Sequence, residues 1–277
     1  MTAFQILLPA FVASLILTGI HTYLGVHVVE RGVIFVDLSL AQIAALGLTV
    51  AYLTGYDVHT SVPAYLFSLG FTFVGAAIFA LTRAHRKTRI PQEAVIGIVY
   101  AVSAAVAILM MSKATQETEH LKEMLVGNIL SVSWYEVGKT AVLYALIGAF
   151  HFVFRKRFLL ISMNEPEAER QGLNVRFWDL LFYMSFGFVV TSSVAIAGVL
   201  LVFCFLIVPS VTAMLFTERL GLRLAIGWGM GALVSAAGVA LSFLLDLPTG
   251  ASIVATFGAV LLMVAASRVV VRRRALA

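Results

Sequence analysis

Residues 62–89 read VPAYLFSLGFTFVGAAIFALTRAHRKTR, an apolar run that ends abruptly in a basic cluster. The run covers residues 62–82, about the 20 helical residues that cross the ~30 Å hydrocarbon core of a bilayer. It is expected to be helical, because a spanning segment must satisfy its backbone hydrogen bonds internally. Clusters of Lys and Arg favour the cytoplasmic side. This stretch therefore predicts one helical crossing whose carboxyl end meets the cytoplasm.

The rest of the chain repeats this pattern. Of its 277 residues 61% are hydrophobic, more apolar surface than a soluble domain could bury. Continuous apolar runs, rather than ten-residue alternations, exclude a β-barrel. The predicted fold is an all-α polytopic membrane protein with a single transmembrane domain over residues 1–277. We interpret nine segments as crossings: about 4–29, 34–54, 62–82, 92–112, 136–154, 178–196, 198–216, 223–245 and 250–269.

The distribution of charge predicts the orientation of these crossings. With residues 83–89 inside, nine crossings place the N-terminus outside and the C-terminus in the cytoplasm. All 19 Lys and Arg residues then lie on the cytoplasmic side except Lys113, Lys122 and Lys139. An alternative remains for 178–216, which forms either two tight crossings or one crossing and a re-entrant segment, giving eight crossings. The net charge of +5 is expected to face anionic lipid, not nucleic acid.

Several chemistries are excluded by what the sequence lacks. Cys204 is the only cysteine, so one chain forms no internal disulfide and no thiolate metal site. The Walker A pattern G-x-x-x-x-G-K-[ST] is missing, so energy from ATP must come from another chain. The predicted spans hold no paired acids, nucleophile–base set or histidine cluster at ligand spacing. We therefore expect a transport protein without a resident cofactor rather than an intramembrane enzyme.

Three polar residues are candidates for a translocation pathway. Asp37 lies in the second predicted span, where an ionisable residue marks a pathway or a polar interior. Its alternative role is a structural pair with Arg31 or with a helix terminus. Gln42 is the second candidate, although it lies about 140° around an ideal helix from Asp37. Asp246 begins a predicted outer turn and is either an entry carboxylate or ordinary turn chemistry.

Other polar residues are given structural interpretations. Ser39 is expected to face away from Asp37, and Glu93 to cap the helix that begins beside it. Stripes of small residues predict close helix packing at Gly227, Gly231 and Ser235 and at Ala41 and Ala45. His21 and His27 are interpreted as packing or interface histidines. For the polar residues of the two outer loops, solvation is preferred over metal binding: Asp57, His59, Glu119, His120 and Glu123.

The inner loop, residues 155–177, contains the signals of a short helix. Asn164 is a good N-cap for a helix whose first turn holds Glu165, Pro166 and Glu167. Gly172 is suited to end it. A helix of this kind is either an incidental feature of a surface loop or a docking element for a soluble partner, and the local sequence favours neither.

Taken together, six stretches in this order resemble the membrane subunits of bacterial zinc- and manganese-type ABC importers, the ABC-3 permease family. These stretches are 25–37, 92–98, 125–133, 167–173, 198–213 and 246–250. The resemblance implies a permease domain that forms a homodimer in the bacterial cytoplasmic membrane. It also implies a cytoplasmic ATPase dimer that receives the helix near 164–172, and an extracytoplasmic protein that delivers metal. The residues implied for ATPase coupling are Glu165, Glu167, Ala168, Arg170 and Gly172.

The resemblance is incomplete at the expected metal ligands. In the family the second span carries an Asp with a His four residues later, on the same helix face. Here Ala41 stands four residues after Asp37, and Gln42 follows at five. An amide oxygen is a weaker and harder ligand than imidazole. The ion therefore stays open among zinc, manganese and iron, and a permease for another cargo, such as a metal chelate, is the alternative.

Overall fold

The computed structural model describes residues 3–57, 61–83, 90–112 and 129–275, with side chains from residue 7 to residue 268 of those ranges. These residues form helices and connecting turns and contain no strand, which confirms the predicted all-α class. The helices are α1 (Ala3–Glu30), α2 (Val36–Leu53), α3 (Val62–Leu81), α4 (Gln92–Met111), α5 (Trp134–Val153), α6 (Arg155–Met163), α7 (Glu165–Arg170), α8 (Val175–Met214), α9 (Leu220–Leu245) and α10 (Thr249–Ala275), with a 3₁₀ turn at Ile129–Ser131.

Within the described ranges, eight helices are long and apolar enough to cross a membrane. One of them, α8, has 40 residues and would span about 60 Å, twice the hydrocarbon thickness. Gly198 interrupts it with φ 75° and ψ 161°, a conformation essentially restricted to glycine. The segment is therefore two helical arms, 175–197 and 199–214, and the predicted division near residue 197 is confirmed. Counting these arms separately gives nine apolar segments.

One compact unit contains residues 27–125 and 143–195. Within its described part α2 packs against α3 and α4. The close approach depends on Gly47, because a Cβ there would lie 2.7 Å from the Phe67 carbonyl oxygen. Gly187, in the first arm of α8, is likewise covered by the side chain of Thr72 from α3. This unit contains the charged residues of the site described below, apart from Asp246.

The second compact unit contains residues 1–26, 126–142 and 196–277. In it the glycines of α9 meet threonine side chains of α1, Gly227 against Thr22 and Gly231 against Thr18. Gly25 of α1 lies against the backbone of Leu206 in the second arm of α8. The small-residue stripe predicted in this region is thus used for packing between helices of one chain.

The helix predicted between Asn164 and Gly172 is present as α7. The Asn164 side chain accepts a hydrogen bond from the Glu167 N–H (3.3 Å). At the other end Gly172 has φ 74°. The N–H of Leu173 donates to the Ala168 carbonyl (3.0 Å), closing a Schellman motif. The local sequence therefore specifies both ends of this helix.

The helix before it, α6, was not predicted. Phe158 is its buried anchor: the ring stacks on His151 of α5 at 4.4 Å between centroids and meets Trp178 of α8 edge-on at 5.5 Å. Arg157 also contacts Trp178, with its guanidinium carbon 4.7 Å from the ring centroid. These aromatic contacts fix α6, and so the start of α7, against the ends of two long helices.

Candidate functional site

Asp37 is the second residue of α2 and is only 1% exposed. Within the described part of the chain, neither of its carboxylate oxygens has a hydrogen-bond partner. The predicted alternative of a pair with Arg31 is wrong, because Arg31 bonds to Asp179 instead. Burying a carboxylate without a partner is costly. Asp37 is thus a buried acid at the start of a helix, and its place on a translocation pathway stays a prediction.

The neighbours of Asp37 hold the start of α2 in place. Glu93, at the start of α4, accepts a hydrogen bond from the backbone N–H of Phe35 (3.0 Å), the N-cap residue of α2. The expectation that Glu93 caps its own helix is therefore corrected: it caps the neighbouring one. Tyr144 of α5 lies within electrostatic range of Asp37. Its hydroxyl donates to the Val189 carbonyl at 3.2 Å.

Gln42 does not share a face with Asp37. Because α2 is continuous from Val36 to Leu53, five residues place Gln42 about 140° around the helix, and its side chain is half-buried. Ser39 is fully buried, and its hydroxyl has no hydrogen-bond partner among the described residues. The described ranges contain no group of three His, Cys, Asp or Glu side chains close enough to hold a metal.

Asp246 has the properties of a turn residue. It is exposed, ends α9, and adopts the left-handed conformation (φ 51°, ψ 48°) that Asp tolerates better than most residues. The turn is closed by Leu247, whose N–H donates to the Ser242 carbonyl (3.0 Å) and whose carbonyl accepts from the Ser242 hydroxyl (2.7 Å). Asp246 belongs to the compact unit that does not contain Asp37. Its role at an outer mouth stays a prediction.

Four charged side chains form a continuous buried chain that the sequence analysis missed. Arg31 follows α1 and bonds through Nη1 to one carboxylate oxygen of Asp179 at 2.8 Å. Arg83, just after α3, bonds through Nη1 to the other oxygen of Asp179. The Nη2 atom of Arg83 bonds to Glu165 of α7 at 3.0 Å. Two positive and two negative groups thus link three long helices to the short helix α7.

The two positive and two negative charges of this ion-pair chain balance one another. Asp179 is fully buried, and the side chains of Arg31 and Arg83 are 2% and 7% exposed, whereas that of Glu165 is 29% exposed. Burial opposes the positive charge of Arg83, but the neighbouring Asp179 and Glu165 outweigh it and raise the pKa of its guanidinium. The two terminal nitrogens of Arg83 reach two different carboxylates, which a lysine ammonium cannot reproduce.

Arg31 is also fixed by uncharged groups. Its Nε donates to the Ser162 hydroxyl of α6 at 2.8 Å, and its guanidinium carbon lies 3.9 Å from the centroid of the Phe182 ring. His27 bonds to the same hydroxyl through Nδ1 (2.8 Å), and His21 through Nδ1 to the Leu17 carbonyl (2.7 Å). The prediction that both histidines are packing residues is confirmed.

The helix α7 has two distinct faces. Ala168 is fully buried, and Glu165 points to Arg83. On the outer side Glu167 and Arg170 pair with each other at 3.1 Å, with Arg170 largely exposed. The structure therefore separates the predicted coupling residues into an inward set and an outward set. Their proposed contact with an ATPase remains a prediction.

Several residues singled out in the sequence lie outside the described ranges: His59, Glu119, His120, Glu123 and the basic cluster 84–89. Asp57 is described and exposed, as expected of loop polarity. The buried ion-pair chain had one available signal, an acid at position 179 near the start of a predicted span. Arg83 was interpreted only as part of the cytoplasmic basic cluster, and Arg31 as a cytoplasmic residue or an alternative partner of Asp37, so their pairing with Asp179 was not anticipated.

With this geometry the chain can be compared with known proteins. Residues 3–268 match the ABC 3 transport family, and the chain belongs to that family. It is 27% identical to the manganese transport system membrane protein MntC of Listeria innocua, over 88% of this chain and 84% of that protein. It is 28% identical to the "Probable iron transport system membrane protein" of Haemophilus influenzae, over 91% and 89%.

The fold is similar to a chain of the solved structure "PsaBC from Streptococcus pneumoniae in complex with Fab". The TM-score is 0.77 at 24% identity, and the match covers 95% of this chain and 91% of that one. Together with the family, this fold makes the chain a membrane permease component of an ABC transporter, a transport component rather than an enzyme.

Proposed function

We propose that this permease imports a divalent transition metal ion, manganese, iron or zinc, into the bacterial cytoplasm. The proposal is supported by the names of relatives that transport manganese and iron. The observation that carries it is Asp37, a buried carboxylate whose oxygens lack hydrogen-bond partners within the described residues. Such an oxygen ligand suits divalent metals, and hard ions such as manganese in particular.

The proposed mechanism assigns the energy source to other chains. Two copies of the permease enclose a central pathway in the cytoplasmic membrane, with the N-terminus outside and the C-terminus inside. A binding protein outside delivers the metal, and a cytoplasmic ATPase dimer receives α7 from each copy. The outward-facing pair Glu167 and Arg170 is the surface offered to that ATPase. Closure of the ATPase then moves α7 and opens the two mouths of the pathway in turn.

A metal chelate is the second candidate cargo. It is favoured by the absence of a three-residue metal cluster in the described ranges and by Ala41 at the position of the family's histidine. A chelate brings its own ligands and needs fewer from the protein. Identification of the cargo on the copurified binding protein, by metal analysis and mass spectrometry, separates a bare ion from a chelate.

The test of the pathway is metal uptake by cells that carry Asp37→Asn. The amide keeps the size of the side chain but removes the charge that attracts a cation. We expect uptake of labelled manganese or iron to fall by about tenfold or more, which corresponds to a loss of about 1.4 kcal/mol of binding free energy. Asp57→Asn is the matched control, since it makes the same change at an exposed position. Wild-type uptake by Asp37→Asn at equal membrane abundance would refute the pathway role.

A further inference from the structure

We propose that the ion-pair chain Glu165–Arg83–Asp179–Arg31 is the link through which movement of α7 reaches the Asp37 end of α2. The inference rests on the proposed function, since it assumes that an ATPase moves α7. It assigns Glu165 and Arg83 as positioning residues that act inside the permease, distinct from the residues that meet the ATPase.

The first step is the attachment of α7. Glu165 is the first residue of this helix, and its carboxylate bonds to Arg83 at 3.0 Å. Arg83 lies two residues beyond the end of α3, so this contact joins α7 to the end of a long apolar helix. Ser162 gives the neighbouring helix α6 a parallel attachment through its bond to Arg31. A displacement of α6 and α7 therefore acts on the same buried charges by two routes.

The second step leads from Arg83 to the turn before α2. Asp179 holds Arg83 with one oxygen and Arg31 with the other. Arg31 begins the short turn between α1 and α2, in which Gly32 has φ 66°. Asp37 follows six residues after Arg31, at the second position of α2. The pair Arg31–Asp179 thus anchors the segment that presents the unpartnered carboxylate.

The third step concerns why charged side chains, rather than apolar ones, are packed between these helices. Replacing buried ion pairs with apolar residues is often neutral or stabilising, so stability alone gives no reason for burying Arg31, Arg83 and Asp179 together. Hydrogen-bonded ion pairs have discrete geometries and can pass a displacement between rigid helices. The ion-pair chain is buried at its Arg31 end and reaches α7 at its Glu165 end, which suits it to pass a displacement of α7 to the buried helices.

The experiment compares two glutamates of α7 in the full importer, reconstituted in liposomes with its ATPase. Metal uptake and phosphate release are measured together. For Glu165→Gln, we expect the number of metal ions imported per ATP hydrolysed to fall by about tenfold. The amount of ATPase that copurifies with the permease should stay at the wild-type level. Among the described residues, the carboxylate of Glu167 bonds to Arg170 (3.1 Å) and to the side-chain amide of Gln171 (3.0 Å), both within the segment of α7. With Glu167→Gln, copurification falls, and uptake and hydrolysis fall together at an unchanged ratio.

A second variant keeps the charge and removes the bridge. Arg83→Lys retains a cation beside Asp179, but one ammonium cannot span both carboxylates in the arginine geometry. We expect the same fall in metal per ATP, and no further fall in the double variant with Glu165→Gln, because both changes break one contact. Loss of thermal stability without a change in the ratio would show a merely structural role and overturn the inference.

Two other outcomes also decide the matter. If Glu165→Gln and Glu167→Gln lower copurification alike and leave metal per ATP unchanged, Glu165 acts at the ATPase surface and the inference is wrong. If the wild-type importer shows no ATP-driven metal uptake, the proposed function fails and takes the inference with it.

Discussion

The substitution Asp179→Asn tests whether the buried charges are as tightly balanced as the structure shows. Among the described residues Asp179 is the acid that pairs with Arg31, and it shares Arg83 with the partly exposed Glu165. The amide would leave two guanidiniums facing each other against one carboxylate. Removing one partner of a buried ion pair typically costs about 3–5 kcal/mol. For a chain of this size the expected drop in Tm is of the order of 6–20 °C, at about 2–4 °C per kcal/mol.

The assay is a thermal melt of the purified permease in detergent, followed by fluorescence-detected size exclusion. Glu165→Gln serves as the control, because the Glu165 side chain is 29% exposed and its loss should cost less than that of the fully buried Asp179. The double variant Asp179→Asn with Arg31→Met restores charge balance, and we expect it to regain part of the lost stability. If Asp179→Asn melts at the wild-type temperature, or if the double variant is worse than additive, the balanced-charge account is wrong.

Two further predictions concern the backbone and the orientation. Gly198→Ala should destabilise the permease by about 1–3 kcal/mol, because φ 75° with ψ 161° is strained for any residue that carries a Cβ. Gly221→Ala is the control, because a Cβ at Gly221 would meet open space. Equal melting temperatures of the two variants would contradict the break in α8. In a Cys204→Ser background, Glu169→Cys on the exposed side of α7 should react with a membrane-impermeant maleimide only in inverted vesicles. Reaction in intact spheroplasts would reverse the orientation and remove α7 from any cytoplasmic ATPase.

The helices were predictable where a local signal is decisive. Apolar length gave the spans to within a few residues, because crossing a bilayer imposes both helicity and a minimum length. Asn164 and Gly172 gave the ends of α7, because capping depends on residues within one helical turn. The break in α8 was predicted near residue 197, although its nature, a positive φ at Gly198, became clear only in the structure.

The site was less predictable because its contacts join residues far apart in the chain. Glu93 was expected to serve its own helix and instead caps α2, a choice made by the packing of α2 against α4. The chain Arg31–Asp179–Arg83–Glu165 joins residues that are 82 to 148 positions apart. No sequence periodicity reports such pairings. The helix α6 escaped prediction for the same reason, since its anchor Phe158 is defined by rings on α5 and α8.

The amino-acid order was sufficient for the class of protein, the approximate spans and the projecting helix, because these follow from hydrophobic length, glycine and capping chemistry acting over short distances. It also placed an acid at position 37. Which charges neutralise one another was decided by the packed bundle alone. Burial makes an unpaired ion costly, and the fold accordingly brings Asp179 between two arginines. Asp37 departs from this rule, because it is buried without a hydrogen-bonded partner among the described residues.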